Sequence, residues 1–256
     1  MERVTVIKVG GKIVEEQETL MALLDSFAAL PGHKVLVHGG GRSATKVAAQ
    51  LGIESRMVEG RRITDAETLK VVTMVYGGLV NKQIVAGLQQ RGVNALGLTG
   101  ADMNVIRSQK RPVKEVDYGF VGDVKEVNAD LLADLIGKGV VPVMAPLTHD
   151  GEGHLLNTNA DTIAGETAKA LAKHFDTTLV FCFEKKGVLA CETDDESVIP
   201  VITRSDFARL VEEKVISGGM IPKVENSLQA VEAGVSRVII TRADAIGVPE
   251  SGTTIR

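Results

Sequence analysis

Six short runs rich in Val, Ile and Leu alternate along this chain with longer segments of helical periodicity. The runs are Val4–Val9, Lys34–His38, Ala95–Leu98, Val140–Ala145, Thr178–Phe183 and Arg237–Thr241, and each reads as a strand. Helical patterns fill the intervals at Glu18–Ala29, Ser43–Leu51, Ala66–Arg91, Asp130–Lys138, Asp161–Lys173, Ser205–Glu213 and Lys223–Ala233. Strands that are apolar throughout must be covered on both faces. The alternation therefore predicts an α/β fold with an open, mostly parallel sheet between helical layers. Met103–Arg107 and Gly119–Val127, either side of a polar stretch containing Pro112, predict a hairpin at the edge. The 256 residues correspond to roughly 1.7 domains, so to one large unit or two coupled lobes. The softest boundary is at Asp176-Thr177-Thr178, where a helical pattern gives way to a strand.

Composition narrows the function. Twenty-nine Lys and Arg against 33 Asp and Glu leave a net charge of −4, with 6 Phe, 2 Tyr and no Trp. Neither the basic excess nor the stacking aromatics of a nucleic-acid binder are present, so no nucleic-acid partner is expected. No uninterrupted apolar run reaches the ~18 residues that span a bilayer, and the chain passes from Met1-Glu2-Arg3 directly into a strand without a signal-peptide pattern. A cytoplasmic protein without a membrane partner is expected. Cys182 and Cys191, with no CxxC motif, read as two reduced thiols, and no metal-ligand spacing is visible. The unusual figure is 27 Gly, which suggests tight βα turns and close approach of backbone to ligands.

In open α/β sheets ligands bind at the carboxyl ends of the strands, and the glycines collect there. The first strand ends Lys8-Val9-Gly10-Gly11, placing a costly lysine in an apolar run just before two glycines whose amides can face an anion. The second ends His38-Gly39-Gly40-Gly41 and opens a helix, a good cradle for phosphate or carboxylate. Gly39, Gly41 and Ala44 also satisfy a dinucleotide fingerprint, with Glu59 twenty residues on. An NAD-dependent dehydrogenase is therefore an alternative, although the fingerprint follows the second strand and Glu59 does not end an apolar run. No Walker loop is present. Further on, Asn157, Asn159 and Asp161 crowd before a helix, where Asn159 or Asp161 could serve as a plain N-cap. Ser217-Gly218-Gly219-Met220-Ile221-Pro222-Lys223 puts a cation in a first helical turn, which the dipole disfavours unless an anion neutralises it.

Taken in order, Lys8-Val9-Gly10-Gly11, His38-Gly39-Gly40-Gly41, Glu59-Gly60-Arg61-Arg62-Ile63-Thr64, Asn157-Thr158-Asn159-Ala160-Asp161 and Gly218-Gly219-Met220-Ile221-Pro222-Lys223 resemble the acetylglutamate kinases of the amino acid kinase family. The resemblance runs from the first strand to Gly252-Thr253-Thr254. It implies a three-layer αβα fold of two lobes. Residues 1–176 would bind the acylglutamate and carry a dimer interface, and residues 177–256 would bind ATP. The implied reaction is phosphorylation of the side-chain carboxylate of N-acetyl-L-glutamate, the second step of arginine synthesis, with Mg²⁺ arriving on the nucleotide and no resident metal. Carbamate, aspartate or uridylate phosphorylation within the same family is the nearest rival.

By the same resemblance, Lys8 and Lys223 stabilise the transferring phosphoryl and Asp161 holds them. Gly40, Gly41, Arg62 and Asn157 hold the acceptor. Gly10, Gly11, Glu184, Lys185, Gly187, Ser217 and Gly218 hold the nucleotide. Glu184 stands where relatives usually carry Asp, and Lys185-Lys186 replace smaller residues. A carboxylate acceptor of pKa ~4.3 is already ionised at pH 7, so no general base is needed and His38 reads as structural. Arg61 beside Arg62 adds a cation that suits a more acidic acyl group, such as succinyl. Arginine-inhibited relatives carry an additional N-terminal helix, so an arginine-insensitive homodimer is expected.

Overall fold

The computed structural model describes residues 1–248 and 251–256. β1 (Arg3–Val9) runs through Gly10 into a short α1 (Gly11–Glu15) and then α2 (Gln17–Ala29). β2 (His33–His38) likewise meets glycines before α3 (Gly41–Gln50). The two-residue strands β3 (Met57–Val58) and β4 (Arg61–Arg62) form a hairpin whose turn residues, Glu59 and Gly60, have left-handed backbone (φ 49° and 73°). The Asp65 carboxylate accepts from the Thr68 N–H and starts α4 (Ala66–Val72). This helix continues through a π-helical stretch, Thr73–Val80, into α5 (Asn81–Gln90). The π stretch contains Gly77-Gly78, a pair with little α-helical preference of its own.

After β5 (Ala95–Leu98) come β6 (Ile106–Lys110) and β7 (Gly122–Val127), which pair antiparallel as the expected hairpin, a few residues later than its pattern suggested. α6 (Ala129–Gly137) and β8 (Val141–Met144) follow. β9 (Leu147–His149) and β10 (Leu155–Asn157) join β6 and β7 in a four-stranded sheet of order β10-β9-β6-β7. α7 (Ala160–Leu171) then leads into β11 (Asp176–Phe183). β12 (Val201–Ile202), α8 (Arg204–Glu212), α9 (Met220–Glu232), β13 (Arg237–Arg242) and β14 (Thr253–Ile255) complete the chain. β9, β10, β12 and β14 are only two or three residues long, too short to register as periodic runs.

The main sheet has the order β12-β14-β13-β11-β1-β2-β8-β5 and is parallel except for β13 against β14. β1 pairs with β11 along its whole length, from Arg3 opposite Asp176 to Val9 opposite Cys182, so the sheet runs unbroken past residue 176. Two apolar clusters are the two faces of this sheet. Val4, Val6, Val35, Val37, Leu179 and Phe181 pack with residues of α6 to α9. Ile7, Val9, Leu36, Val180 and Cys182 pack with α1 to α5. The expected α/β sandwich with a mostly parallel sheet is present. The continuous helix Ala66–Gln90 has 25 residues, and an 18-residue window within it has a mean hydropathy of 1.3, enough by length and composition alone to cross a membrane. It is a core helix here, because Val71, Val72, Val75, Tyr76, Val80, Ile84 and Leu88 bury one side of it in the second cluster.

Lys34 shows how a polar residue serves this packing. Its ammonium donates to the carbonyls of Phe27, Ala28 and Leu30 at 3.0, 2.8 and 2.9 Å, satisfying the C-terminus of α2. Lys34→Met keeps the bulk and removes these bonds. It should cost about 2 kcal/mol of stability, read as a lowered urea midpoint with an unchanged slope.

Candidate active site

Lys8 belongs to the same face of β1 as Val4 and Val6, and β1 carries it to the carboxyl edge. There its ammonium meets Asp161, with Nζ 2.8 Å from Oδ1. Asp161 is available because Asn159 is the helix cap: its Oδ1 accepts from the backbone N–H groups of Asp161 and Thr162 at 2.8 and 3.1 Å. The plain-cap role therefore falls to Asn159 and not to Asp161. At the second position of α7 the Asp161 carboxylate also gains from the helix dipole.

Lys223, in the first turn of α9, approaches the same point from the helical layer that also holds α7, and it lines a cavity with Asp161. Its ammonium sits 3.0 Å from the centroid of the Phe183 ring, with Lys8 Nζ 5.9 Å from that ring. Burial pushes Lys223 down to about 8, with Asp161 pulling it up and Lys8 pushing it further down. Phe183 was not among the expected site residues. Its place as the last residue of β11, directly before Glu184, is the signal that could have found it.

Two cavities adjoin across Gly41, Met57 and Arg62. One is lined by Lys8, Gly10, Gly11, Lys12, Phe183 and Glu184, and so joins the first glycine loop to the end of β11. The other is lined by Gly39, Gly40, Arg61, Arg62, Tyr76 and Asn157. The two glycine loops touch: a β-carbon at Gly39 would stand 3.1 Å from the Gly11 nitrogen, and one at Gly40 would stand 2.9 Å from the Tyr76 ring. Only glycine permits this approach.

Arg62 is buried, and three of its five donors are engaged. Nη1 donates to Ser55 Oγ at 2.7 Å, and Nη2 to the Gly41 carbonyl and Thr45 Oγ1 at 2.8 and 2.9 Å. The remaining two can serve a carboxylate. Asn157 donates to Thr64 Oγ1 at 3.0 Å, which ties β10 to the segment carrying Arg62. Lys12 pairs with Glu184 at 3.2 Å across the mouth of the first cavity. Tyr76, Ser55 and Thr45 were missed because their roles depend on contacts distant in sequence.

Other expected residues lie apart from these two cavities. Lys185 pairs with Asp195 at 3.0 Å and Lys186 with Glu196, both in the acidic 192–196 turn. Gly187 packs against Thr253, whose hydroxyl accepts from the Val188 N–H. Ser217 and Gly218 form the turn before α9, where Gly218 has φ 54°. Cys182 and Cys191 are free thiols, the first pushed up to about 12 by burial. Asp150, Glu152 and His154 come within reach of one another in the β9–β10 turn, but none lines either cavity. Glu59 lies in the β3–β4 turn and not at a strand end of the main sheet, which removes the geometry that the dehydrogenase alternative needs.

A partly buried lysine pair near one carboxylate, flanked by two glycine loops at the carboxyl edge of a parallel sheet, has the charge and donors that suit phosphoryl transfer. The chain belongs to the amino acid kinase family, whose model matches residues 3–242. Over 255 residues it is 77% identical to the acetylglutamate kinase of Bacteroides thetaiotaomicron, covering 100% of this chain and 99% of that one. Among solved structures, smu.665 from Streptococcus mutans superposes with a TM-score of 0.80 at 29% identity, covering 98% of each chain. The N-acetylglutamate synthase of Neisseria gonorrhoeae superposes at 0.82 and 21% identity over 98% of this chain and 59% of that one, a likeness of fold alone.

The electrostatics of the lysine pair set a pH dependence. A Lys223 that offsets phosphoryl oxygens has to be charged, so on that role kcat/KM, which reports the free enzyme, should fall as pH rises through about 8. Asp161→Asn removes the attraction that holds Lys223 up and should move this limb to lower pH. Lys223→Arg, charged at all accessible pH, should lose the limb while running more slowly.

Proposed function

We propose that this chain transfers the γ-phosphoryl group of MgATP to the side-chain carboxylate of N-acetyl-L-glutamate, giving an acyl phosphate and ADP. The observation that carries this reading is the Lys8–Asp161–Lys223 constellation beside a cavity that offers Arg62 and Asn157. A carboxylate oxygen bonds to the γ-phosphorus as the bond from phosphorus to the β-bridging oxygen breaks. Donor and acceptor are both anions, and the two ammonium groups offset their repulsion as charge spreads over the phosphoryl oxygens. The amides of Gly10, Gly11, Gly40 and Gly41 supply uncharged donors, and Arg62 with Asn157 orients the acceptor. The acceptor is ionised at pH 7, so no proton has to be removed. Mg²⁺ travels on the phosphates: Asp161 and Glu184, the carboxylates nearest Lys8 and Lys12, are already paired with those lysines.

The lobes divide the work in this reading. Residues 1–176 take the acylglutamate and form the dimer, while Glu184, Lys185, Gly187, Ser217 and Gly218 in residues 177–256 serve the nucleotide. Met74 and Leu79, half exposed on the long helix, favour a homodimer through that helix. The enzyme would work in the cytoplasm, in arginine synthesis.

Arg61 favours a second acceptor. It lines the acceptor cavity and is held below its ordinary pKa by burial and then by Arg111, with Asp123 offsetting. Asp123 is itself bonded to Arg111. An anion on the acyl group would relieve Arg61, and succinyl supplies one.

A hydroxamate assay with acetyl-, succinyl- and free glutamate tests both points. Activity with an N-acylglutamate and none with free glutamate supports the kinase reading, and acetyl-favoured or equal rates refute the succinyl preference. Lys8→Arg should lower kcat by roughly 10²-fold with little change in acceptor KM. Light scattering should give a dimer, and Met74→Glu with Leu79→Glu should give a monomer.

A further inference from the structure

The reaction above uses Gly40 and Gly41 as donors but leaves the histidine before them without a part. His38 ends β2, is completely buried, and faces the helical layer that contains α5. Its Nδ1 lies 2.7 Å from the Gly39 carbonyl oxygen, and its Nε2 lies 3.2 Å from Asn81 Nδ2. Two further partners orient the Asn81 amide. Nδ2 donates to the Val143 carbonyl at 2.9 Å, and Oδ1 accepts from Lys82 Nζ at 3.0 Å. An amide nitrogen only donates, so His38 Nε2 must accept and the ring proton must sit on Nδ1. Nδ1–H then donates to the Gly39 carbonyl. The charged form is removed as well: burial pushes His38 down to about 4, against the bond to Gly39 and with repulsion from Lys82.

The consequence lies in one peptide unit. The Gly39 carbonyl and the Gly40 N–H share a planar trans peptide and point in opposite directions. With the carbonyl turned to His38 in the core, the Gly40 N–H faces the loop side. There a β-carbon at Gly11 would stand 3.6 Å from the nitrogens of both Gly40 and Gly41. No side chain caps the start of α3, and Arg62 and Thr45 bond to the Gly41 carbonyl, in a later peptide than Gly39–Gly40. The turn's neighbours, the Gly39 N–H to Val9 carbonyl bond at 2.9 Å and the Tyr76 ring, hold the loop's position but not the orientation of the Gly39–Gly40 peptide.

We propose that Asn81 and His38 are positioning residues. Asn81 selects the Nδ1–H tautomer of His38, and that N–H locks the Gly39–Gly40 peptide with its amide directed at the acceptor and the transferring phosphoryl. The proposal rests on the kinase reading. Without the lock, the peptide can rotate and present a carbonyl oxygen to two anions. Asn81 directly follows the π-helical stretch, whose Tyr76 lies against Gly40, so the long helix reaches the glycine loop at two points.

The ¹⁵N spectrum of histidine-labelled protein tests the first step directly, with His38 assigned by loss of its signals in His38→Asn. The wild type should show a neutral ring protonated at Nδ1 between pH 6 and 8. Asn81→Asp puts an acceptor at Nε2 and should move the proton there. The same variant should lose about 10²-fold in acceptor kcat/KM, while its MgATP KM changes little. His38→Leu, which lacks the donor, should lose as much. His38→Asn, whose amide N–H lies near the place of Nδ1, should retain a larger share. A wild-type His38 protonated at Nε2, or a His38→Leu enzyme with unaltered acceptor kcat/KM, overturns the proposal. A wild-type chain inactive with every N-acylglutamate overturns the kinase reading beneath it, whatever tautomer His38 shows.

Discussion

An ammonium at the end of a buried strand is tolerable only with an anion within reach, and Lys8 obtains one from Asp161 at 2.8 Å. Much of the site's layout follows from that pair. The N-terminus of α7 must lie over the end of β1, which obliges Asn159 and not Asp161 to cap the helix. The Asp161 charge, paired with Lys8 and also felt by Lys223, in turn favours a second, partly buried cation nearby, with the Phe183 ring beneath it. Two lysines around a single carboxylate leave a net positive charge in a confined place. That is the electrostatic complement of a phosphoryl group in transit between two anions.

The glycine loops provide the uncharged half of the same complement. Their contact, with Gly39 against Gly11 and Gly40 against Tyr76, brings four backbone amides to the carboxyl edge without a side chain intervening. Parallel pairing of β1 with both β2 and β11 makes the contact possible. Val9 lies level with His38 on one side and Cys182 on the other, so three strands end together. Burial of both sheet faces in separate apolar clusters fixes that register, since a slip of one residue would turn each strand's core side chains toward the wrong layer.

Much of this was legible in the chain. The six apolar runs became strands of the main sheet with bounds shifted by two residues at most. The anomalies that drew attention, a lysine in an apolar strand, three glycines before a helix and a cation in a first helical turn, are the residues that converge. Phe183, Tyr76 and Asn81 were less visible, because an aromatic or an amide in a helix or strand carries no mark of its partner until the fold supplies one. Lys185, Gly187, Ser217 and Gly218 stood in suggestive motifs, yet their contacts here are with the 192–196 turn, Thr253 and the start of α9.

By itself, the sequence determined the layered α/β plan, six strands of the main sheet and most helices, and the placing of glycine and lysine at strand ends, because periodicity and burial cost are local properties of residue type and spacing. Only the tertiary structure decided which cap belongs to which helix, which of Arg62's donors remain free, and that His38 is neutral with its proton on Nδ1. Those depend on distances between residues as far apart as 43 positions, the separation of His38 and Asn81. A hydrogen bond's direction is set by the partner that packing brings to it, and the chain carries no local record of that partner.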